Sequence, residues 1–156
     1  MDQTVEQAPL PTSAPRAIDT LLAQYSESHL NHTNEIIHVV CVPLIVFTLL
    51  GIVWWLHPLA ALALSAAALW YYFQLSRPFF LGMLAMTAVM LAVLGAMPPA
   101  TVLPLSIAIF VLAWIGQFIG HQIEGKKPSF LEDLRFLLIG PLFVLGFLYR
   151  RLNLSY

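Results

Sequence analysis

The sequence predicts an all-α fold: a polytopic membrane helix bundle of four transmembrane spans plus a broken or re-entrant fifth segment. Three observations carry this. Hydrophobic residues make up 60% of the chain and charged residues only 10%, against roughly 25% charged in an ordinary soluble domain. The charges are also unevenly placed, with no Asp, Glu, Lys or Arg from Val39 to Phe73 or from Pro78 to Ile123. A charge at bilayer depth costs on the order of 3 kcal/mol on insertion scales, so charge-free runs of this length read as membrane segments. Third, turn-forming residues cut these runs into pieces of bilayer length: His57-Pro58, Ser76-Arg77-Pro78 and Pro98-Pro99.

The elements follow in order. Residues 1–16 are polar and Pro-rich, and Asp2 and Glu6 come before the first base, Arg16. That is the reverse of a signal peptide's basic start, and the stretch reads as a disordered tail. From Ala17 to Ser28, Ile18, Leu21, Leu22 and Tyr25 recur at helical spacing between Asp19, Gln24 and Glu27. This is one short amphipathic helix, lying on the membrane surface or packed on the bundle. The HLNHTN stretch, residues 29 to 34, interrupts it. Asn31 and Thr33 are good N-caps, and Glu35 suits the positive end of a helix dipole, so a second helix starts near Thr33 and runs through Val39–Leu56.

Spans from about Leu59 to Leu75, Phe79 to Met97 and Thr101 to Gly120 come next. Roughly 20 residues at 1.5 Å each cross a ~30 Å hydrocarbon core. A polar loop, HQIEGKKPSFLED, follows, and then an apolar segment, Leu134–Tyr149, interrupted by Gly140-Pro141. Pro141 cannot donate its backbone hydrogen bond, so this segment is expected to kink or re-enter the membrane. The whole of residues 17–151 reads as one membrane-embedded catalytic domain, with 152–156 as a tail.

Four spans put the amino-terminal region, the Arg77 turn and the 121–133 loop on one side. That side carries Arg77, Lys126, Lys127 and Arg135, whereas the His57-Pro58 and Pro98-Pro99 turns carry no Lys or Arg. The positive-inside rule makes the first side cytoplasmic, in a bacterial inner membrane or a eukaryotic endoplasmic reticulum. A net charge of −1 offers no basic field for nucleic acid. Cys41 is the single cysteine, which rules out a disulfide framework or a CxxC metal site within this chain. It reads as a small buried hydrophobe. Trp54-Trp55 and Trp70-Tyr71-Tyr72 stand at span ends, where an interfacial aromatic belt accounts for them.

The topology sorts the five histidines. His29, His32 and His38 precede or open the first span and His121 closes the fourth, all at the cytoplasmic face, while His57 falls on the other. Glu124 is one turn beyond His121 if the helix continues. Several imidazoles and a carboxylate converging at one face suit Zn(II) or non-heme Fe(II), with positions left open for substrate. Within one continuous helix, His29 and His38 would point about 180° apart. They share a metal only if the HLNHTN break reorients one of them. Against this stands the ordinary reading of interfacial histidines as solvated or hydrogen-bonded side chains, and of Glu124 as a partner of Lys126 or Lys127.

The stretches YSESHLNHTNEIIHVVCVP, residues 25–43, and WIGQFIGHQIEGKKPS, residues 114–129, followed by Gly140-Pro141-Leu142-Phe143, resemble a known family. It is the yeast-type 2-hydroxy fatty acid dioxygenase family of phytosphingosine breakdown to odd-numbered fatty acids, formerly a domain of unknown function. The resemblance covers about residues 17 to 150. It implies a membrane-bound, Fe(II)-dependent dioxygenase that uses O2 to shorten 2-hydroxy fatty acids by one carbon in α-oxidation. It also implies His29, His38 and His121 as catalytic metal ligands. The chain departs from the family at His32, where a Pro often stands; His32 is then an added ligand or a substitution at a helix start.

Glu124 and Asn34 are candidate further ligands or groups that orient an imidazole, Asn34 lying one turn before His38. Lys126, Lys127 and Arg77 are candidates to attract the substrate carboxylate, with the tail among apolar helices and membrane lipid. Two alternatives stay open: another metal-dependent membrane lipid hydrolase or hydroxylase, and a non-enzymatic transporter or scaffold. The transporter reading expects ionisable groups near the bilayer midplane, and none occurs in the four spans.

Overall fold

A computed structural model describes residues 16–27, 30–125 and 137–156, and among them the only regular elements are α-helices. They are α1 (Ala17–Ser26), α2 (His32–Leu56), α3 (Pro58–Leu75), α4 (Arg77–Ala96), α5 (Pro99–Glu124) and α6 (Gly140–Arg151). Residues 1–15 of the expected amino-terminal tail, His29, Lys126, Lys127 and Arg135 lie outside the described residues.

Four helices, α2 to α5, are long and apolar enough to cross a membrane. Their outward faces are Leu, Val, Ile and Phe, such as Leu62, Leu81, Val89 and Leu112, as lipid contact requires. The connections are abrupt because their residues leave no alternative. His57 is the N-cap of α3, its Nδ1 accepting from Leu59 N at 3.2 Å, and Pro58 occupies the first turn, where no amide is needed. Pro78 and Pro99 do the same for α4 and α5. His57 is therefore a capping residue, on the side its sequence position assigned to it.

Three boundaries differ from those read in the sequence. Asn31 caps α2, its Oδ1 accepting from Thr33 N at 2.9 Å and Asn34 N at 3.4 Å, so the helix begins at His32 rather than Thr33. The fourth span does not stop at Gly120: HQIE is its last turn, and α5 ends at Gly125, whose φ of 73° only glycine adopts cheaply. The third boundary is in the fifth segment, where residues 137–139 form a turn and Gly140 begins α6. Pro141 stands in the first turn of α6 and starts it.

At ~1.5 Å per residue, the 12 residues of α6 are too short to span. Both ends lie toward the face that holds the start of α2. Tyr72 Oη, near the end of α3, donates to Leu138 O at 2.9 Å, and Arg150 reaches Glu35 at 3.9 Å. Leu142, Phe143 and Leu145 of α6 are buried with Ile18 and Tyr25 of α1, Tyr72 and Phe79. The amphipathic α1 thus packs on the bundle through its predicted apolar stripe. Tyr72 is a core residue, 2% exposed, and not part of an outward-facing aromatic belt, whereas Trp70 is 64% exposed. The last residues are drawn in too, for the Tyr156 ring lies 4.8 Å from that of Phe79 and its main-chain oxygen accepts from Arg16 at 2.9 Å.

The most extensively packed pair is α2 with α5, which run antiparallel. Small residues let the two backbones approach, the usual device where lipid gives helices no hydrophobic reason to associate. A Cβ on Gly51 would collide with Ser106 Oγ, and one on Gly120 with the side-chain oxygen of Asn34. Cys41, half-buried on α2, faces the same seam.

Candidate functional site

One face of α5 carries Ala113, Gln117, Gly120, His121 and Glu124, spaced by three or four residues, and Asn34, His38 and Ile45 form the answering face of α2. Helical period alone therefore aims these residues at each other. His38 is 2% and His121 5% exposed. Their ring centroids are 5.2 Å apart at an interplanar angle of 89°. Six residues of rise place His38 roughly 9 Å inside the start of α2, just within the bundle at one face.

His38, Asn34 and Glu124 are tied together by hydrogen bonds. His38 Nδ1 lies 3.0 Å from the main-chain oxygen of Asn34. A carbonyl only accepts, so Nδ1 carries a proton, and in the neutral ring Nε2 holds the lone pair. Asn34 does contact His38, as its position one turn earlier suggests, but through its backbone. Its side chain, fully buried, donates to Glu124 Oε2 at 3.0 Å.

Glu124 is a clamp. Its carboxylate also accepts from Leu30 N at 2.9 Å and from Asn31 N at 2.9 Å. It thereby holds the chain entering α2 against the end of α5.

His32 and Arg77 stand apart from the imidazole pair. His32 is the first residue of α2, with its side chain 69% exposed and 3.4 Å from Glu35. The break in the chain thus falls before His32. Arg77 is exposed at the first position of α4, at the same end of the bundle.

Beside His38 lies a cavity of about 40 Å³, walled by Tyr25, Trp114, Gln117, Leu137 and Gly140 among others. At roughly 10–15 Å³ per water it takes a group of two or three heavy atoms. Sequence reading did not single out Gln117, Tyr25 or Trp114 as site residues. The signal for Gln117 was available: it stands one turn before His121 and two before Glu124, on the same stripe.

Among the described residues no three His, Cys, Asp or Glu side chains come together as a metal set. The imidazole pair nevertheless fits a metal in its chemistry. A ligating imidazole commonly donates its second N–H to a backbone carbonyl, which fixes its tautomer and orientation, and His38 does so to Asn34.

Fold and site together define a class: an all-α, multi-pass membrane protein that buries an imidazole pair between two antiparallel spans at one face. Within that class the chain belongs to the Mpo1-like family, described as 2-hydroxy-palmitic acid dioxygenase Mpo1-like, whose model matches residues 16–152. Neither a curated protein nor a solved structure matches the chain.

Proposed function

We propose that this protein is an Fe(II)-dependent membrane dioxygenase that shortens 2-hydroxy fatty acids by one carbon, with O2 as oxidant. The observation that carries the reading is the buried His38–His121 pair, with Nδ1 of His38 donating to the Asn34 carbonyl, so that in the neutral ring Nε2 is the nitrogen able to ligate a metal. The family description supplies the substrate class. His38, His121 and His29 hold the metal, which supplies a redox centre able to react with O2.

The chain's own residues do the rest. Asn34 orients His38, and Glu124 holds the segment next to His29 against α5. The cavity walled by Gln117 and Tyr25 has room for the three heavy atoms of the substrate carboxylate. Lys126, Lys127 and Arg77 attract the carboxylate to this face, which is the cytoplasmic one. His32 is outside the ligand set because its ring points to solvent.

Anaerobic Fe(II) titration of the purified protein tests the reading. Wild type should bind one iron, and His38→Ala and His121→Ala should bind none while inserting normally in the membrane. Unchanged iron affinity in both variants would refute it.

A further inference from the structure

A second cavity, of about 150 Å³, lies between α2, α3, α4 and the start of α6. It sits between the two apolar cores of the bundle. Tyr72 and Met83 belong to the core beneath α6, Leu50 and Met90 to the core at the other end, and all four line the cavity. The lining is almost wholly apolar. Of its three hydroxyl-bearing residues, Ser65 and Tyr72 donate to the main-chain oxygens of Ala61 and Leu138 at 2.8 and 2.9 Å, so they offer an occupant no donor.

Leu137 lines both this cavity and the smaller one beside His38. The compartment beside His38, which carries Gln117 and Tyr25 in its wall, therefore adjoins a second, apolar compartment that leads away from it. The apolar one runs from Tyr72 to Leu64 along α3 and from Met83 to Met90 along α4. Seven or eight residues of rise make that roughly 10–12 Å. A dry cavity of about this volume is known to hold a benzene molecule, so it suits a run of about six methylenes.

We propose that this cavity seats the alkyl chain of the substrate. The chain passes Leu137 from the histidine cavity, lies among Ala68, Thr87 and Val46, and meets Leu50 and Met90 at the far end. The inference rests on the proposed activity for the identity of the occupant. It adds the path of the tail and the residues that determine which chains are accepted.

The test uses the wild-type protein in nanodiscs and a 2-hydroxypalmitate carrying a diazirine in mid-chain. Photocrosslinks should map to the α3 and α4 lining, at Leu64, Ala68, Thr87 or Met90, and a tenfold excess of unlabelled 2-hydroxypalmitate should abolish them. Crosslinks confined to outward-facing residues such as Leu81 and Leu112 would overturn the proposal. So would crosslinks at the lining that the competitor does not displace, since they would mark a site for bulk lipid.

Ala68→Phe gives a second readout. It should lower the ratio of kcat/KM for 2-hydroxypalmitate over 2-hydroxybutanoate, whose two-carbon tail does not reach Ala68, at least tenfold, whereas Leu62→Phe, on the lipid-facing side of α3, should leave it unchanged. An unchanged ratio in Ala68→Phe would count against the proposal. Failure of the activity itself is separate: a wild-type protein that consumes no oxygen can still place the crosslink, and one that consumes oxygen can still place it elsewhere.

Discussion

Replacing Glu124 with alanine removes one carboxylate that receives three N–H groups from the opposite helix and its entry. Two are main-chain amides, Leu30 and Asn31, both at 2.9 Å, on exposed residues. Water replaces the carboxylate there, so each loss costs about 0.5–1 kcal/mol. The third donor is the amide of Asn34, which is fully buried, and an unmet buried donor costs about 1–3 kcal/mol. The three together amount to roughly 3 kcal/mol. At 1.36 kcal/mol per tenfold change, opening of the segment should become on the order of a hundredfold easier.

Hydrogen exchange in nanodiscs reads this directly. The Leu30 and Asn31 amides should exchange about a hundredfold faster in Glu124→Ala, and by a smaller factor in Glu124→Gln, which keeps one acceptor oxygen. Amides in the middle of α2, around Ile45, should not change. Exchange at Leu30 and Asn31 that is as slow in Glu124→Ala as in wild type would refute the clamp.

Four further outcomes follow from the same geometry. Gly120→Ala drives a methyl group into Asn34 and should destabilise the α2–α5 pair by about 1–3 kcal/mol, read as a lower melting temperature in detergent. Gly95→Ala, whose new methyl would meet only Trp54 at 3.8 Å, should be neutral or slightly stabilising. His32→Pro should retain iron and melt like wild type, because a first helical position has no intrahelical amide bond to lose; loss of iron would return His32 to the ligand set. In a Cys41→Ala background, single cysteines at positions 77 and 150 should be labelled by an impermeant reagent from the cytoplasmic side and one at 57 from the other. Labelling of 77 and 57 from the same side would contradict the four-span topology.

Much of the architecture was legible because lipid and backbone chemistry leave few choices. Charge-free runs cut by His57-Pro58, Ser76-Arg77-Pro78 and Pro98-Pro99 specify four antiparallel spans, and antiparallel spans bring the start of the first beside the end of the fourth. That alone placed His38 near His121. What was not legible depends on tertiary contact. Nothing local says that HQIE continues the helix, since its polarity resembles a loop; Gly125 ends it because a left-handed residue is needed there.

Pro141 reads equally well as a helix breaker or a helix starter, and only the packing of α6 beneath α1 makes it the latter. The use of the Glu124 carboxylate as a clamp requires knowing that Leu30 and Asn31 arrive beside it, some 90 residues away in sequence. Gln117 was legible from its place on the His121 stripe, whereas the cavity it walls depends on tertiary packing.

Oxygen uptake with 2-hydroxypalmitate, measured after anaerobic iron loading and paired with mass analysis of the product, tests the central claim most directly. Wild type and His57→Ala, whose altered ring only caps α3, should consume oxygen and release an acid one carbon shorter, while His38→Ala and His121→Ala should do neither. Oxygen consumption and a shortened product in His38→Ala or His121→Ala would contradict the account, as would a His57→Ala variant as inactive as those two.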